Sequence, residues 1–184
     1  MAGPRAWEVL SGFVDGPRDK EALGGFDVQE REVGWATCVR VMRVNYCGEL
    51  GWELHHPIAF QHHILDQLER AGKDLGLRHI GFRALDSLRI EKSYRAVTQE
   101  LTTQNTLVEV GLGRFVGKGK TGYIGARAVA ENANSQQMQL VTLEVFCSDA
   151  DVEPSKNQAV RSGERVIALT TSGAYGHYLG RNLA

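Results

Sequence analysis

Glu49 is the side chain whose type and position most directly suggest chemistry. It lies between Gly48 and Gly51 in the stretch VNYCGELGWELHHP, residues 44–57. A carboxylate carries two coplanar oxygens, so one held on a rigid hairpin loop can accept paired N–H donors from a planar ligand. A glutamate in such a loop is also a common solvated turn residue. The spacing alone leaves both interpretations open.

Histidines raise the question of a metal site, since they form two adjacent pairs, His55-His56 and His62-His63. Neighbouring side chains point to opposite faces of a strand and lie about 100° apart on a helix. Neither pair therefore chelates a metal by itself. We predict no metal site in this chain.

The cysteines are odd in number and far apart, which argues against a disulfide framework and against a zinc site. We expect them to be small, mostly buried side chains; they are Cys38, Cys47 and Cys147. The chain has no nucleophile elbow, Walker loop or dinucleotide-binding glycine motif. The basic glycine loop at residues 117–120 lacks the spacing that cradles phosphates. The residues by themselves indicate a binding site and no named reaction.

Charge balance excludes several classes of partner. The 184 residues carry 21 Lys and Arg against 22 Asp and Glu. Such a chain has no basic excess for nucleic acid and no polybasic cluster for an anionic membrane surface. We therefore expect small molecules or proteins as partners, with no nucleic acid and no membrane. Because the chain lacks an apolar run of about 18 residues and a signal-peptide core, we predict a cytoplasmic protein.

The apolar pattern predicts a hairpin that positions Glu49. Residues 37–46 alternate, with Val39 and Val41 on one face, and residues 52–56 alternate after the turn. Residues 47–51 form the turn, whose glycines supply the positive φ angles that it demands.

Helices are predicted on both sides of this hairpin. They are a short helix beginning at Pro4 and helices at residues 60–75, 81–94 and 125–132. The helix at 81–94 carries Phe82, Leu85 and Leu88 as its apolar stripe. Short strands follow at residues 139–146 and 165–171.

The order of these elements predicts an α+β fold. An antiparallel sheet is covered by helices and followed by a partial C-terminal β-barrel. We predict a boundary near Asn134, which gives a partial first domain at residues 1–134 and a partial barrel at residues 135–184.

Five motifs in this chain resemble the aminomethyltransferase family. That family includes the T-protein of the glycine cleavage system and the tetrahydrofolate domains of dimethylglycine and sarcosine dehydrogenases. The motifs are YCGELGWEL (46–54), GFRALDSLRIEKSY (81–94), VEVGLGRFV (108–116), GYIGARA (122–128) and TTSGAYGHYLGRNLA (170–184). Their order makes the set more specific than any one motif. The stretch LRIEKSYR at 88–95 is more similar to the dehydrogenase branch than to the glycine-cleavage branch.

The resemblance implies tetrahydrofolate as the cofactor and Glu49 as the residue that binds its pterin ring. The carboxylate would pair with the pterin amino group and ring N–H. Gly48 and Gly51 would let the turn approach a flat heterocycle. Tyr46 and Trp52 would be available to stack on the ring, although aromatic residues beside a hairpin are more often core.

Glu109 matches an acidic residue of the family, and its loop is expected to line the same opening. An arginine that contacts the cofactor in glycine-cleavage members corresponds to Leu85 here, and its role does not transfer to Arg83. In family members, the aspartate assigned to the transfer step lies N-terminal to the helix that corresponds to the one beginning at Gly3-Pro4 here. The resemblance therefore assigns no catalytic residue in this chain.

The reaction that the resemblance implies is one-carbon transfer from an aminomethyl donor or an N-methyl amine to tetrahydrofolate. Because family members extend beyond this sequence at both ends, we predict an incomplete segment with little activity alone. The alternative is a catalytically silent homologue that acts as a folate-binding or self-assembling module. In that case a homodimer, or a missing complementary segment, would cover the strand edges and apolar surface left open.

Overall fold

A computed structural model describes residues 1–16, 23–132, 138–147 and 153–184 of the chain. The chain divides into two compact units, Met1–Leu85 and Asp86–Ala184. The boundary predicted near Asn134 lies outside the described residues. The division into residues 1–134 and 135–184 therefore stays a prediction.

The first unit contains a three-stranded antiparallel sheet and two helices. The strands, in sheet order, are β1 (Val28–Val33), β2 (Ala36–Met42) and β3 (Glu53–His55). The helices are α1 (Ala6–Ser11) and α2 (Gln61–Gly72), and single turns of 3₁₀ helix flank α2 at Ile58–Phe60 and Lys73–Leu75. The central strand is β2, so both of its edges are hydrogen-bonded to neighbours.

The predicted pairing of the strands on either side of Glu49 is confirmed. Val41 of β2 lies opposite Leu54 of β3, and Val39 and Val41 are fully buried. However, β2 ends at Met42 and not at residue 46. Residues 43–52 therefore form a long connection, where we had predicted a tight turn.

Strand β1 was not predicted, because its sequence VQEREV carries charges at its centre. It is an edge strand in which Gln29 lies opposite Val41 and Val33 lies opposite Ala36. Val33 is its one buried residue. An antiparallel edge strand can leave one face in water, so it needs no continuous apolar sequence.

One cluster of buried apolar side chains forms the core of the first unit. Its members are Ala6, Leu10, Leu23, Val33, Ala36, Val39, Val41, Trp52 and Ile64. The predicted helix after Pro4 is confirmed as α1, which buries Ala6, Val9 and Leu10. The core thus joins α1 and α2 to one face of the sheet.

The second unit contains short strands, a short helix and the larger part of a helix that begins in the first unit. The helices are α3 (Phe82–Glu91) and α4 (Ala126–Asn132), with a 3₁₀ turn at Gly113–Phe115. The strands are β4 (Glu144–Val145), β5 (Ala159–Ser162), β6 (Arg165–Leu169), β7 (Ala174–Gly176) and β8 (Arg181–Leu183). They form an antiparallel sheet in the order β4-β8-β7 and a separate β5-β6 hairpin.

The mixed helical and antiparallel architecture confirms the α+β prediction, and the predicted α4 and β6 are present. Strands β5, β7 and β8 were missed because runs of 3 or 4 residues are too short to show an alternating pattern. Of the strand predicted at 139–146, only β4 forms. The described strands form no closed barrel, so the partial C-terminal barrel is not confirmed.

The helix predicted at residues 81–94 is confirmed as α3, but the predicted apolar stripe is wrong at Phe82 and only half-buried at Leu85 and Leu88. Phe82 is 88% exposed, whereas Ser87, Arg89 and Ile90 are buried. The helix turns a polar face inward because Arg89 finds a full set of partners there. The cysteine expectation also fails in part, since Cys38 is exposed, Cys47 buried and Cys147 intermediate.

Leu10→Ala tests the assigned core. Leu10 is 1% exposed, so its truncation removes buried apolar surface and leaves a cavity. We expect the free energy of unfolding to fall by about 2–5 kcal/mol. The control is Ile58→Ala, at a side chain that is 84% exposed, with an expected change within about 0.5 kcal/mol. Urea unfolding measured by circular dichroism compares the two, and equal losses would contradict the assignment.

Candidate functional site

The Glu49 loop, which we define as residues 45–51, is closed by one of its own side chains. Asn45 Oδ1 accepts hydrogen bonds from the backbone N–H groups of Cys47, at 3.3 Å, and Gly48, at 2.6 Å. This arrangement is an Asx turn, in which a side-chain oxygen replaces a backbone acceptor. Gly48 has φ 73°, in the left-handed region that favours glycine. The predicted positive φ is therefore confirmed for Gly48.

Gly51 serves a different purpose from the one predicted. Its φ is not positive. A Cβ at this position would lie 2.9 Å from the Met1 carbonyl oxygen and 2.9 Å from Asn45 Cβ. Residues 1–3 pair antiparallel with this part of the loop, and the Trp52 N–H donates to the Met1 carbonyl at 3.0 Å. Glycine is needed here because two chain segments approach closely.

The Glu49 carboxylate is exposed to solvent, as is the neighbouring Gly48. Within the described parts of the chain, no hydrogen bond or ion pair engages this carboxylate. The backbone behind it is held, since the Gly3 N–H donates to the Leu50 carbonyl at 2.9 Å. The loop therefore combines a fixed backbone with a carboxylate that is open to an external pair of N–H donors.

The two aromatic residues predicted to contact a ligand lie in different surroundings. Tyr46 is half-buried. Trp52 is 0% exposed and packs against Trp7, with 5.3 Å between ring centroids. Its face is therefore not presented to a ligand, and its role in binding stays a prediction. Its Nε1 has no hydrogen-bond partner in the part of the chain that the structure describes.

Glu109 belongs to the second unit, where it closes a turn. Its Oε2 accepts hydrogen bonds from the Thr106 N–H and from the Thr106 hydroxyl, both at 2.8 Å. The Glu109 N–H in turn donates to the Thr106 hydroxyl oxygen at 3.2 Å. This reciprocal pattern is a capping box. The N–H of Thr106, and then its hydroxyl, hold the pKa of Glu109 below its ordinary value.

Sequence reasoning missed a buried polar network centred on Arg89, whose side chain is 3% exposed. All five of its N–H donors are engaged. Nε donates to Asp86, at 2.7 Å; Nη1 to the Tyr94 carbonyl and Glu100, each at 2.9 Å; and Nη2 to Gln99, at 3.1 Å, and Ser172. No spacing rule signals such a set, because Ser172 is distant in sequence.

Glu100 is the buried anion of this network. Burial by itself raises the pKa of this carboxyl, but hydrogen bonds outweigh that effect and leave it lowered. The donors are, in decreasing order, the hydroxyl of Ser172, the N–H of Ala96 and the hydroxyl of Thr171, with the charge of Arg89 adding to them. The Glu100 carboxylate therefore remains charged at neutral pH beside the guanidinium of Arg89.

A small cleft of about 40 Å³ opens beside this network and is lined in part by Ser93, Thr142 and Arg89. That volume suits a few water molecules and is too small for a heterocycle. Because Arg89 has no donor left over, we assign the network to the fold and not to ligand binding.

Two of the five sequence motifs meet in the second unit. The Ser87 hydroxyl, on α3, donates to the Tyr175 carbonyl at 2.6 Å. Glu91 Oε1 accepts from the N–H groups of Tyr178, at 2.8 Å, and Leu179, at 3.2 Å. The polar residues of these motifs therefore hold the β7–β8 turn against α3.

The histidines make separate local contacts. His63 Nε2 lies 2.9 Å from the Val33 carbonyl oxygen, and His55 pairs with Glu53 at 3.0 Å on the surface. Among the described residues, no group of three His, Cys, Asp or Glu side chains is placed to hold a metal ion. No helix within those same residues has the length and apolar character needed to cross a bilayer.

Thr106→Val tests the capping box. The change removes the hydroxyl donor and keeps the N–H, so we expect the pKa of Glu109 to rise toward its ordinary value. The capping bonds stabilise the fold above the ordinary carboxyl pKa, and this contribution is lost as pH falls through the lowered one. NMR titration of the Glu109 side-chain carboxyl measures the shift. Thr103→Val, at an exposed threonine of the same segment, is the control, and an unchanged Glu109 titration in Thr106→Val would refute the assignment.

Arg89→Met tests the buried network. The variant leaves the Glu100 carboxylate buried without its counter-ion, and we expect a loss of about 3–5 kcal/mol in the free energy of unfolding. Adding Glu100→Gln should recover part of that loss, since the uncompensated charge is then gone. Arg83→Met on the same helix, where the side chain is exposed, should change little. Denaturant unfolding measures these free energies, and equal losses in Arg89→Met and Arg83→Met would count against the network.

Comparison with known proteins assigns this chain to a family. Residues 1–120 match the family model described as the GCVT N-terminal domain. The mitochondrial dimethylglycine dehydrogenase of Homo sapiens is 30% identical over 186 residues, which covers 100% of this chain and 21% of that protein. The Rattus norvegicus enzyme is 33% identical over 186 residues, with the same coverage of 100% and 21%.

An aminomethyltransferase of Caldanaerobacter subterraneus subsp. tengcongensis is 28% identical over 185 residues, covering 100% of this chain and 48% of that protein. The chain thus spans about a fifth of the length of the mitochondrial relatives and about half of the bacterial one. The family predicted from the five motifs is confirmed. Since the family model matches most of the sequence and relatives align with all of it, the chain belongs to the aminomethyltransferase family through its GCVT N-terminal domain.

Proposed function

We propose that this chain binds the pterin ring of tetrahydrofolate through the Glu49 loop, as part of a protein that transfers one-carbon units. The observation that carries the proposal is the exposed Glu49 carboxylate, which no described residue engages, on a loop whose backbone is fixed. Membership of the family supports a folate as the ligand class.

The chemistry of the loop fits a pterin. The edge of that ring presents an amino group beside a ring N–H, and the two coplanar oxygens of a carboxylate complement such a pair. Gly48 is exposed beside the carboxylate and has no Cβ to obstruct a flat ring. Tyr46, half-buried on the same loop, is the aromatic residue best placed to contact it. Gly51 and Trp52 are covered and contribute through the shape of the loop.

Rigidity of the loop favours binding. A hydrogen bond to a charged group contributes about 1.5–3 kcal/mol. A loop that is already ordered loses less conformational entropy when a ligand arrives, so more of that energy appears as affinity. The contacts of Asn45 and of residues 1–3 provide this order without the ligand.

Binding is the step proposed for this chain, and transfer is proposed for the whole protein. Bound tetrahydrofolate would supply the amine that accepts a methylene unit from an aminomethyl donor, and the donor's amine or ammonia would leave. The residues described here would hold and orient it, which is a large part of catalysis between two reactants. The role of Glu109 stays a prediction from the sequence, and its Oε2 is engaged by Thr106.

Glu49→Gln tests the proposed function. The amide keeps the size of the side chain but removes its charge and one acceptor. We expect affinity for 5-formyltetrahydrofolate to fall by about 1.5–3 kcal/mol, or roughly ten- to a hundredfold in Kd. Isothermal titration calorimetry of the full chain measures this.

Glu30→Gln provides the matched control for that titration, because Glu30 is an exposed glutamate on β1 of the same unit. It should leave the Kd unchanged. If the folded wild-type chain shows no saturable binding, or if Glu49→Gln binds as tightly as wild type, the proposed function is wrong.

A further inference from the structure

Asn45 is placed to control the direction of the Glu49 carboxylate. Its Oδ1 accepts from two successive backbone N–H groups, those of Cys47 and Gly48. Both partners are donors, so the bonded atom must be the amide oxygen and not the nitrogen. Gly48 immediately precedes Glu49, and its bond of 2.6 Å is the shorter of the two.

The Asn45 hydrogen bonds act on an exposed glycine that directly precedes Glu49. Gly48 is exposed and has φ 73°, in the left-handed region, whereas a Cβ built on Gly51 would meet three groups. Glycine also has the largest range of backbone conformations to lose on ordering. Without the Asn45 bonds, rotation about Gly48 would turn the carboxylate of the next residue over a wide arc.

The remaining supports of the loop lie at its ends. Residues 1–3 pair with residues 50–52 on one side. On the other side, the Val44 N–H donates to the Met42 carbonyl at 3.0 Å. The stretch between these supports includes Gly48 and Glu49. Within this middle stretch, the hydrogen bonds from the N–H groups of Cys47 and Gly48 to Asn45 hold the backbone next to Glu49.

We propose that Asn45 is a positioning residue of the folate site: its side chain holds the loop in the conformation that aims Glu49 at the ligand. The inference rests on the proposed function, since it presumes that Glu49 binds the pterin. Asn45 need not touch the ligand, and its effect passes through the backbone of Gly48.

A double-mutant cycle separates positioning from direct contact and from general stability. The variants are Asn45→Ala, Glu49→Gln and the two combined, with Asn45→Asp as the conservative variant that keeps an acceptor oxygen. Titration calorimetry with 5-formyltetrahydrofolate gives each Kd. Hydrogen exchange of the Gly48 amide, followed by NMR, reports its hydrogen bond to Asn45, and urea unfolding confirms that every variant is folded.

Asn45→Ala should accelerate exchange at Gly48 and weaken binding about five- to thirtyfold, as expected for ordering one backbone residue on binding. Asn45→Asp should bind within about threefold of wild type, since the acceptor is retained. In the Glu49→Gln background, Asn45→Ala should add little, because there is no longer a charge to aim. If Asn45→Ala does not fold, Asn45→Ser, which keeps a weaker acceptor, replaces it with a smaller expected loss.

The possible failures are distinguishable. If Glu49→Gln weakens binding but Asn45→Ala does not, the positioning role is overturned and the proposed function stands. If Asn45→Ala costs the same with or without the Glu49 charge, Asn45 does not act through Glu49 and the inference is again overturned. If the wild-type chain does not bind, the proposed function and this inference fall together.

Discussion

The buried guanidinium of Arg89 links three segments of the second unit. Removing such an ion from water costs several kcal/mol, and the cost is offset only when all its donors find acceptors. Those acceptors come from α3, from residues 94–100 and from Ser172. The three segments must therefore be assembled together for the charge to be stable. Short strands with few apolar residues are fixed here by polar contacts, which gives a small polar core beside the apolar cluster of Ile90, Ala174 and Leu183.

Three glutamates show how the partners of a carboxylate decide its use. Glu100 is 3% exposed and its oxygens are engaged by several donors, so it serves the fold. Glu109 uses one oxygen to close a turn. Glu49 is exposed on a loop that is held by other groups. The residue type is the same in each case, and what differs is the number of donors that the surrounding chain provides.

Sequence patterns were informative where a helix or a central strand presents a regular apolar face. They gave α1, α2, α4 and the alternation of Val39 and Val41 in β2. They also predicted α3 but not its buried face, which includes the polar Ser87 and Arg89 beside Ile90 and depends on partners remote in sequence. The capping box of Glu109 was not predicted, although Thr106 stands three residues before Glu109 in a known sequence pattern. Asparagine often forms an Asx turn, but the hydrogen bond from the Gly48 N–H to Asn45 also depends on the left-handed conformation of Gly48.

The burial of Trp52 beside the Glu49 loop gives this molecule a built-in optical probe. Of the 3 tryptophans in the sequence, Trp52 is fully enclosed and Trp35, at the β1–β2 turn, is 63% exposed. A water-soluble quencher such as acrylamide reaches an exposed indole and is kept from an enclosed one. The emission that survives quenching therefore comes largely from Trp52 and from the half-buried Trp7, whose ring centroid lies 5.3 Å from that of Trp52. Opening of the Glu49 loop would expose Trp52 to the quencher, so the loss of this emission reports the opening without a label on the chain.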